Sequence, residues 1–477
     1  MKSLEIVRLY LGYRSTRAIF LQPASGDELE REVTALESTL MKIFLPLTGK
    51  VVSIVGSFPT KPLDLARHSL SSAVNVILAL LIFASSSWAA EPFYQSELVV
   101  PLENFHNHAS CILELPKGEL LVAWYHGSGE HEANDVKIVG ARKAKGDRAW
   151  NRRFVMADTA NFPDGNPIIF LDGKRQLWLV WPVIVANDWR TTVLKYLIAA
   201  DYQRPQRPPK WKSGDTLLNA PKGFTVEVRR SLDQFVKVNP ATAGSQRVEV
   251  LKTMTGDKYA SRMGWITRSR PLILSTGRIL LPIYSDGFSL SMMAISDDGG
   301  NSWVWSKPII GLGNIQPSIV RRNDGTLVAY MRNAGPPPRR LYVSTSNDAG
   351  VTWSFATHTN LPNPGSAADV TRLASGHWAL VYNDTEAGRH SLAVSISDNE
   401  GQSWRWTRHL ERDERGAGAG QFHYPSIIQT RDGLVHVTYS YFLEHLPEGA
   451  PRKAIKHAAF NLEWVKAGAM NQLSKEP

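Results

Sequence analysis

The chain has 477 residues, 43% hydrophobic and 21% charged, which is the balance of a folded protein and too long for one ordinary small core. The single cysteine, Cys111, excludes an internal disulfide and a thiolate metal cluster, and lies in an apolar run that reads as core. The net charge of +10 favours acidic partners, but no nucleic-acid motif or run of clustered Lys and Arg accompanies it, so no nucleic-acid partner is expected.

Residues 1–73 hold no strong period and no motif, and read as an extension outside the fold. Residues 74–89 have the order of a secretory signal: Lys61, Arg67 and His68, then an apolar run, then Ser87-Trp88-Ala89 with small residues around a cleavage point after Ala89. The apolar run is too short to span a bilayer comfortably, although an uncleaved anchor is the alternative. A signal so far from Met1 suggests that translation begins near residue 60. The expected location is secreted or periplasmic, with no stable membrane span after cleavage.

From residue 90 onward the sequence repeats. Six times an apolar run meets a Gly-containing turn and a second apolar run: 112–124, 168–181, 272–284, 318–332, 370–383 and 426–440. Each reads as a β-hairpin. Six units at roughly 50-residue spacing predict an all-β fold, a six-bladed β-propeller of four-stranded antiparallel blades. Gly173 and Gly277 are 104 residues apart, so residues 200–262 carry either an insertion or an extra blade. The Pro-rich stretch 204–211 reads as a loop, and no long amphipathic helix is expected anywhere.

A second repeat interleaves with the first. Ser-x-Asp-x-Gly-x-Ser/Thr-Trp runs from Ser296 to Trp303 and from Ser346 to Trp353, and again from Ser397 to Trp404 with Asn399 in place of Asp. A worn fourth copy ends at Trp150. Short acceptor side chains bonding local backbone, a Gly at positive φ and a packing Trp make a hairpin staple. A motif that recurs from blade to blade is structural, because an active site does not recur.

With these repeats over about residues 95–465, the chain resembles the sialidase (neuraminidase) superfamily, in particular its bacterial Asp-box, BNR-repeat members. The resemblance implies an exo-acting, retaining glycoside hydrolase whose substrate is an acidic glycan. Such enzymes hold the sugar carboxylate with three arginines, use a Tyr nucleophile assisted by Glu, and protonate the leaving group with Asp. Arg332 and Arg389 match two of the arginines and are expected to end strands at equivalent points of adjacent blades. Tyr424, in FHYPSII, matches the Tyr. Asp135 matches the acid, with Glu130 and Glu132 as rivals.

Two positions depart from the pattern. The family opens its first blade with Phe-Arg-Ile-Pro, and here His106-Asn107-His108-Ala109-Ser110 stands instead, with His108 near the place of the first arginine. Gln316 stands where the supporting Glu belongs, and Gln cannot act as a base. Arg268 could restore a third positive group. Asn166 and Trp265 could line the same face. The expected substrate is therefore sialic acid or another carboxylated sugar. The alternatives are a non-catalytic glycan-binding propeller, and a hydrolase or lyase on uronate polysaccharide using His108. No cofactor and no metal are expected, since His106 and His108 lack a third ligand, and a monomer is expected.

Overall fold

The computed structural model describes residues 90–473 apart from 205, 206, 219 and 448. The expected extension and signal peptide lie outside the described residues. The rest forms six β-sheets, one for each expected blade.

After strand β1 (Tyr94–Leu98), blade one comprises β2 (His106–Glu114), β3 (Leu120–Gly127), β4 (Lys137–Lys143) and β5 (Phe154–Ala157). Blade two comprises β6 (Ile168–Leu171), β7 (Leu177–Ile184), β8 (Thr192–Ala199) and β9 (Ser213–Leu217). Blade three has β10 (Trp265–Thr267), β11 (Leu272–Ile273), β12 (Ile279–Ser285), β13 (Leu290–Ser296) and β14 (Val304–Trp305). Blade four has β15 (Asn314–Arg321), β16 (Leu327–Asn333), β17 (Arg340–Ser346) and β18 (Thr357–Pro362). Blade five has β19 (Asp369–Arg372), β20 (Trp378–Tyr382), β21 (Ser391–Ser397) and β22 (Trp406–Arg412). Blade six takes β23 (Gln421–Gln429), β24 (Val435–Phe442) and β25 (Lys453–Phe460) and completes itself with β1, in the order β1-β25-β24-β23. β1 pairs antiparallel with β25 from Tyr94↔Phe460 to Leu98↔Lys456, so the first strand closes the ring and covers an edge that would otherwise be open.

Blade three departs from the four-strand expectation. Its innermost strand is split, β10 and β11 each pairing with β12, because Pro271 lacks a ladder donor. Residues 200–262 form an insertion and not a seventh blade. After β9 come helices α1 (Phe224–Val238), α2 (Gln246–Met254) and α3 (Lys258–Arg262). The expectation of no long amphipathic helix is thus wrong. α1 buries Phe224, Val228, Leu232 and Phe235, which recur at helical spacing on one face. Phe224 packs edge-on against Trp265 and Phe288, and Phe235 against Phe355, so the helix packs on blades three and four. α4 (Leu462–Leu473) follows blade six and lays Trp464 on Tyr94 and Phe460.

The repeated boxes are staples. Asp298 accepts from Ser296 Oγ, Ser302 N and Ser302 Oγ, while Ser296 Oγ accepts from Gly300 N. Asp348 repeats the pattern with Ser346 and Thr352. Asn399 keeps it, its Oδ1 accepting from Ser397 Oγ and Ser403 N and its Nδ2 donating to Ser403 Oγ. Trp303 and Trp404 reach the preceding blades, at Trp178 and Tyr330. The worn copy keeps only Trp150, which lies edge-on to His457 of blade six.

Candidate active site

The innermost strands of blades one, four and six each break register once, between His108 and Cys111, Ile315 and Ser318, and His423 and Ser426. Each break carries a non-glycine residue at positive φ: Ala109 (54°), Gln316 (55°) and Tyr424 (55°). Asn166, just before β6, is also left-handed at 32°. Asn166, Gln316 and Tyr424 are each followed by proline, which needs no ladder donor where the strand bulges. Such backbone conformations are costly for non-glycine residues and re-aim their side chains, here toward the mouth of the ring.

The second strands supply a matching set from one register slot. Tyr125 lies opposite His108, Tyr284 opposite Ile266, Arg332 opposite Ile315 and Ser440 opposite His423. The two sets meet. Arg332 Nη1 donates to the Tyr424 hydroxyl at 2.9 Å, and Gln316 Nε2 donates to the same oxygen at 3.1 Å. Gln316 Nε2 also donates to Tyr284 Oη at 3.1 Å, which Asn166 Nδ2 approaches at 3.4 Å. The Arg389 guanidinium lies 5.6 Å from the centre of the Tyr424 ring. His108 rests against that ring at 4.4 Å and pairs with Ser440 Oγ at 2.7 Å.

Arg332, Arg389, Tyr424, Gln316 and His108 are therefore brought together, but not all in the expected manner. Arg332 belongs to strand β16, whereas Arg389 comes from the loop before β21, so the two do not end equivalent strands. Arg268 is corrected from clamp to lock. Its buried guanidinium donates to the carbonyls of Ser110, Tyr424 and Pro425, tying blade three to the inner strands of blades one and six. Asp135 is also corrected. It is exposed and spends both oxygens on Ser128: burial would raise its pKa, but the hydroxyl and amide of Ser128 together outweigh that and hold the carboxyl below its ordinary value. Trp265 is core, packed on Phe224 and Phe288.

The first-blade loop instead brings Glu130 to the site. It accepts from Tyr125 Oη at 2.6 Å and lies 3.4 Å from His106 Nε2 and 3.8 Å from His108 Nε2. Burial would raise its pKa, but His106, His108 and Tyr125 outweigh that and keep it well below the usual carboxylate range. Burial, reinforced by neighbouring cationic groups, holds His108 and His423 neutral. Burial opposes the charge on Arg332, yet Tyr424, Tyr284 and Asp286 more than offset it. Arg389 is lowered by burial but stays charged. Among the described residues neither arginine has an ion-pair partner, and Arg332 Nε has no hydrogen-bond partner at all. Asp286, just past β12, is the carboxyl that sequence spacing gave no reason to select.

Residues 258–437 match the model of the BNR repeat-like domain. The exo-alpha-sialidase of Aspergillus fumigatus is 25% identical over 256 residues, covering 52% of this chain and 59% of that protein. The match thus spans about three fifths of this relative. Among solved structures, a Dyadobacter fermentans protein of unknown function superposes with a TM-score of 0.58 at 14% identity, over 77% of this chain and 99% of that one. A leech intramolecular trans-sialidase, solved with 2,7-anhydro-Neu5Ac, superposes with a TM-score of 0.55 at 12% identity, over 76% and 69%. The fold is a sialidase-like six-bladed propeller. The chain thus carries a BNR repeat-like segment and is similar, at low identity, to exo-alpha-sialidases.

Proposed function

We propose that the protein is an exo-acting glycoside hydrolase that removes a terminal acidic sugar, sialic acid or a similar carboxylated sugar, from a glycan outside the cytoplasm. The observation that carries this reading is the pair Arg332 and Arg389, two partly buried guanidinium groups that both lie against Tyr424 and that ion-pair with no carboxylate among the described residues. Buried cations left unpaired are costly, and a ligand carboxylate would relieve both through charge-assisted, bidentate hydrogen bonds. That contact would set the anomeric carbon against Tyr424, whose oxygen is fixed by Arg332 and Gln316 where the oxocarbenium-like transition state develops.

Turnover of fluorogenic sialosides, lost by at least about a hundredfold in Tyr424→Phe with the fold intact, is the expected result. Glycan binding without product would overturn the hydrolase reading in favour of a lectin-like propeller. A second reading has its own support: His108, near the sequence position of the family's first arginine, is held neutral by burial and rests against the Tyr424 ring. A neutral imidazole there suits proton abstraction from a uronate. Cleavage of uronides that survives Tyr424→Phe and is lost in His108→Ala would select that reading.

A further inference from the structure

A cavity of about 320 Å³ opens where blades six and one meet, at the strand ends away from Tyr424. β2 begins beside the candidate active site at His106 and reaches this cavity at Glu114, so the strand's length, roughly 25 Å, separates the two. The cavity wall holds a relay. Glu97 of β1 accepts from Lys143 Nζ and, at 3.1 Å, from His457 Nδ1. Burial alone would raise the Glu97 pKa, but His457 and Lys143 outweigh it and keep the group a carboxylate, which only accepts. The His457 proton is therefore on Nδ1, and its Nε2 is an acceptor. His436 Nδ1 lies 2.9 Å from that Nε2, and the two rings are parallel within 5° with centres 5.1 Å apart, which suits a bond directed along their planes. His436 thus donates through Nδ1 and keeps a lone pair on Nε2. Burial holds both imidazoles neutral, so no second proton upsets this order. His436 is only 8% exposed, and its Nε2 has no hydrogen-bond partner among the described residues. That nitrogen is not sealed in protein as the unpaired His423 Nδ1 is, so a partner reaches it from the cavity.

Most charges around the cavity are mated: Lys143 with Glu97, Arg431 with Glu114, and Lys145 with Asp432 at 3.9 Å. Lys117 is the exception, a lining cation with no ion pair or hydrogen bond among the described residues. It stands at φ 74° in the tight turn between β2 and β3. No three His, Cys, Asp or Glu side chains able to hold a metal ion come together among the described residues, so the lone pair awaits a proton donor and not a cation. We infer that this cavity is a second ligand site, for a small hydroxylated anion, a sugar acid or a sugar phosphate. A ligand hydroxyl donates to His436 Nε2, the anionic group pairs with Lys117, and the C–H face of the sugar meets the apolar wall of Phe93, Leu120 and Leu434. The volume suits one monosaccharide, and the inference is independent of the reaction at Tyr424.

Isothermal titration of the whole protein with D-glucuronate, D-glucose 6-phosphate and uncharged methyl glucoside tests it. At least one of the two anions is expected to bind with a Kd below about 1 mM, about tenfold or more tighter than the glucoside. Which anion binds decides between carboxylate and phosphate. Lys117→Asn removes the ammonium and suits the left-handed turn, and His436→Phe removes the lone pair at similar volume. Each is expected to weaken binding at least about tenfold. One equivalent is expected to remain bound in Arg332→Lys, which alters the other face alone. Neither anion binding by about 10 mM overturns the inference, as does a glucoside that binds equally well. Unchanged affinity in Lys117→Asn also overturns it, whether or not His436→Phe folds, and so does unchanged affinity in a folded His436→Phe. Binding abolished by Arg332→Lys assigns the ligand to the Tyr424 site and overturns it too.

Discussion

Arg268 is buried and Arg332 partly buried, both within reach of Tyr424, and they are expected to fail in opposite ways. Arg268 holds three backbone carbonyls, so Arg268→Ala leaves buried acceptors unmet and should cost about 2–4 kcal/mol, read as a lower denaturant midpoint with an unchanged slope. Arg332 holds a hydroxyl and an amide oxygen and leaves Nε free for a ligand. Arg332→Lys should keep stability within about 1 kcal/mol while raising KM for the acidic sugar about tenfold or more, because an ammonium cannot replace a planar fork. A KM that does not move would place the ligand carboxylate elsewhere. The two arginines read alike in sequence: each is a basic residue near the start or end of a strand. What separates them is whether carbonyls from other blades surround the fork, and those partners lie more than a hundred residues away. The acids were harder still. Asp135, Glu130 and Asp286 sit in loops whose course follows no period, so spacing from His108 could suggest a neighbourhood but not a direction.

Elements were more legible where a local rule fixes them. The six hairpins follow from alternating apolar runs and Gly turns, and the boxes from acceptors at fixed offsets. Asn399 shows why one worn copy still works: its amide retains the acceptor that caps Ser403 N and Ser397 Oγ. Asn399→Asp should therefore leave the melting temperature within about a degree or two, since Ser403 Oγ can reverse its role and donate, as Ser302 does to Asp298. Asn399→Ala loses every such bond and should melt lower. α1 was missed although its stripe of Phe224, Val228, Leu232 and Phe235 was present, because a β-repeat surrounds it and Val226, Val236 and Val238 off the stripe blur its helical period. Leu232 is fully buried, and Leu232→Ala should cost about 2–5 kcal/mol by calorimetry.

At the scale of the molecule, the seam between blades six and one is acid-sensitive. Glu97 of β1 pairs with Lys143 and His457, and His457 accepts from or donates to His436 at 2.9 Å. Burial lowers the pKa of both imidazoles, that of His436 to about 3, and the Glu97 carboxyl is lowered too, burial being outweighed by His457 and Lys143. Each group binds protons more readily when unfolded, at about 6.5 for His and 4.3 for Glu. The stability from His436 is thus whole above about pH 6.5 and is lost as pH falls toward 3, by up to about 1.4 kcal/mol per pH unit; that from Glu97 is lost lower down. Thermal midpoints should fall between pH 7 and 4.5, and less steeply in His436→Gln. An identical slope in that variant would remove the seam from the account.

Because the outermost strand of blade six is made first and its other three are made last, assembly of the pocket has an order in time. A growing chain can pair five sheets while Tyr424 and Ser440 are still unmade, but β1 waits for β25, which ends at Phe460. The hydroxyl at the centre of the site and the strand that locks the circle thus arrive within three consecutive strands. Competence would be gained in a single late event, so a chain cut short anywhere before the last of them should be inert and not partly active.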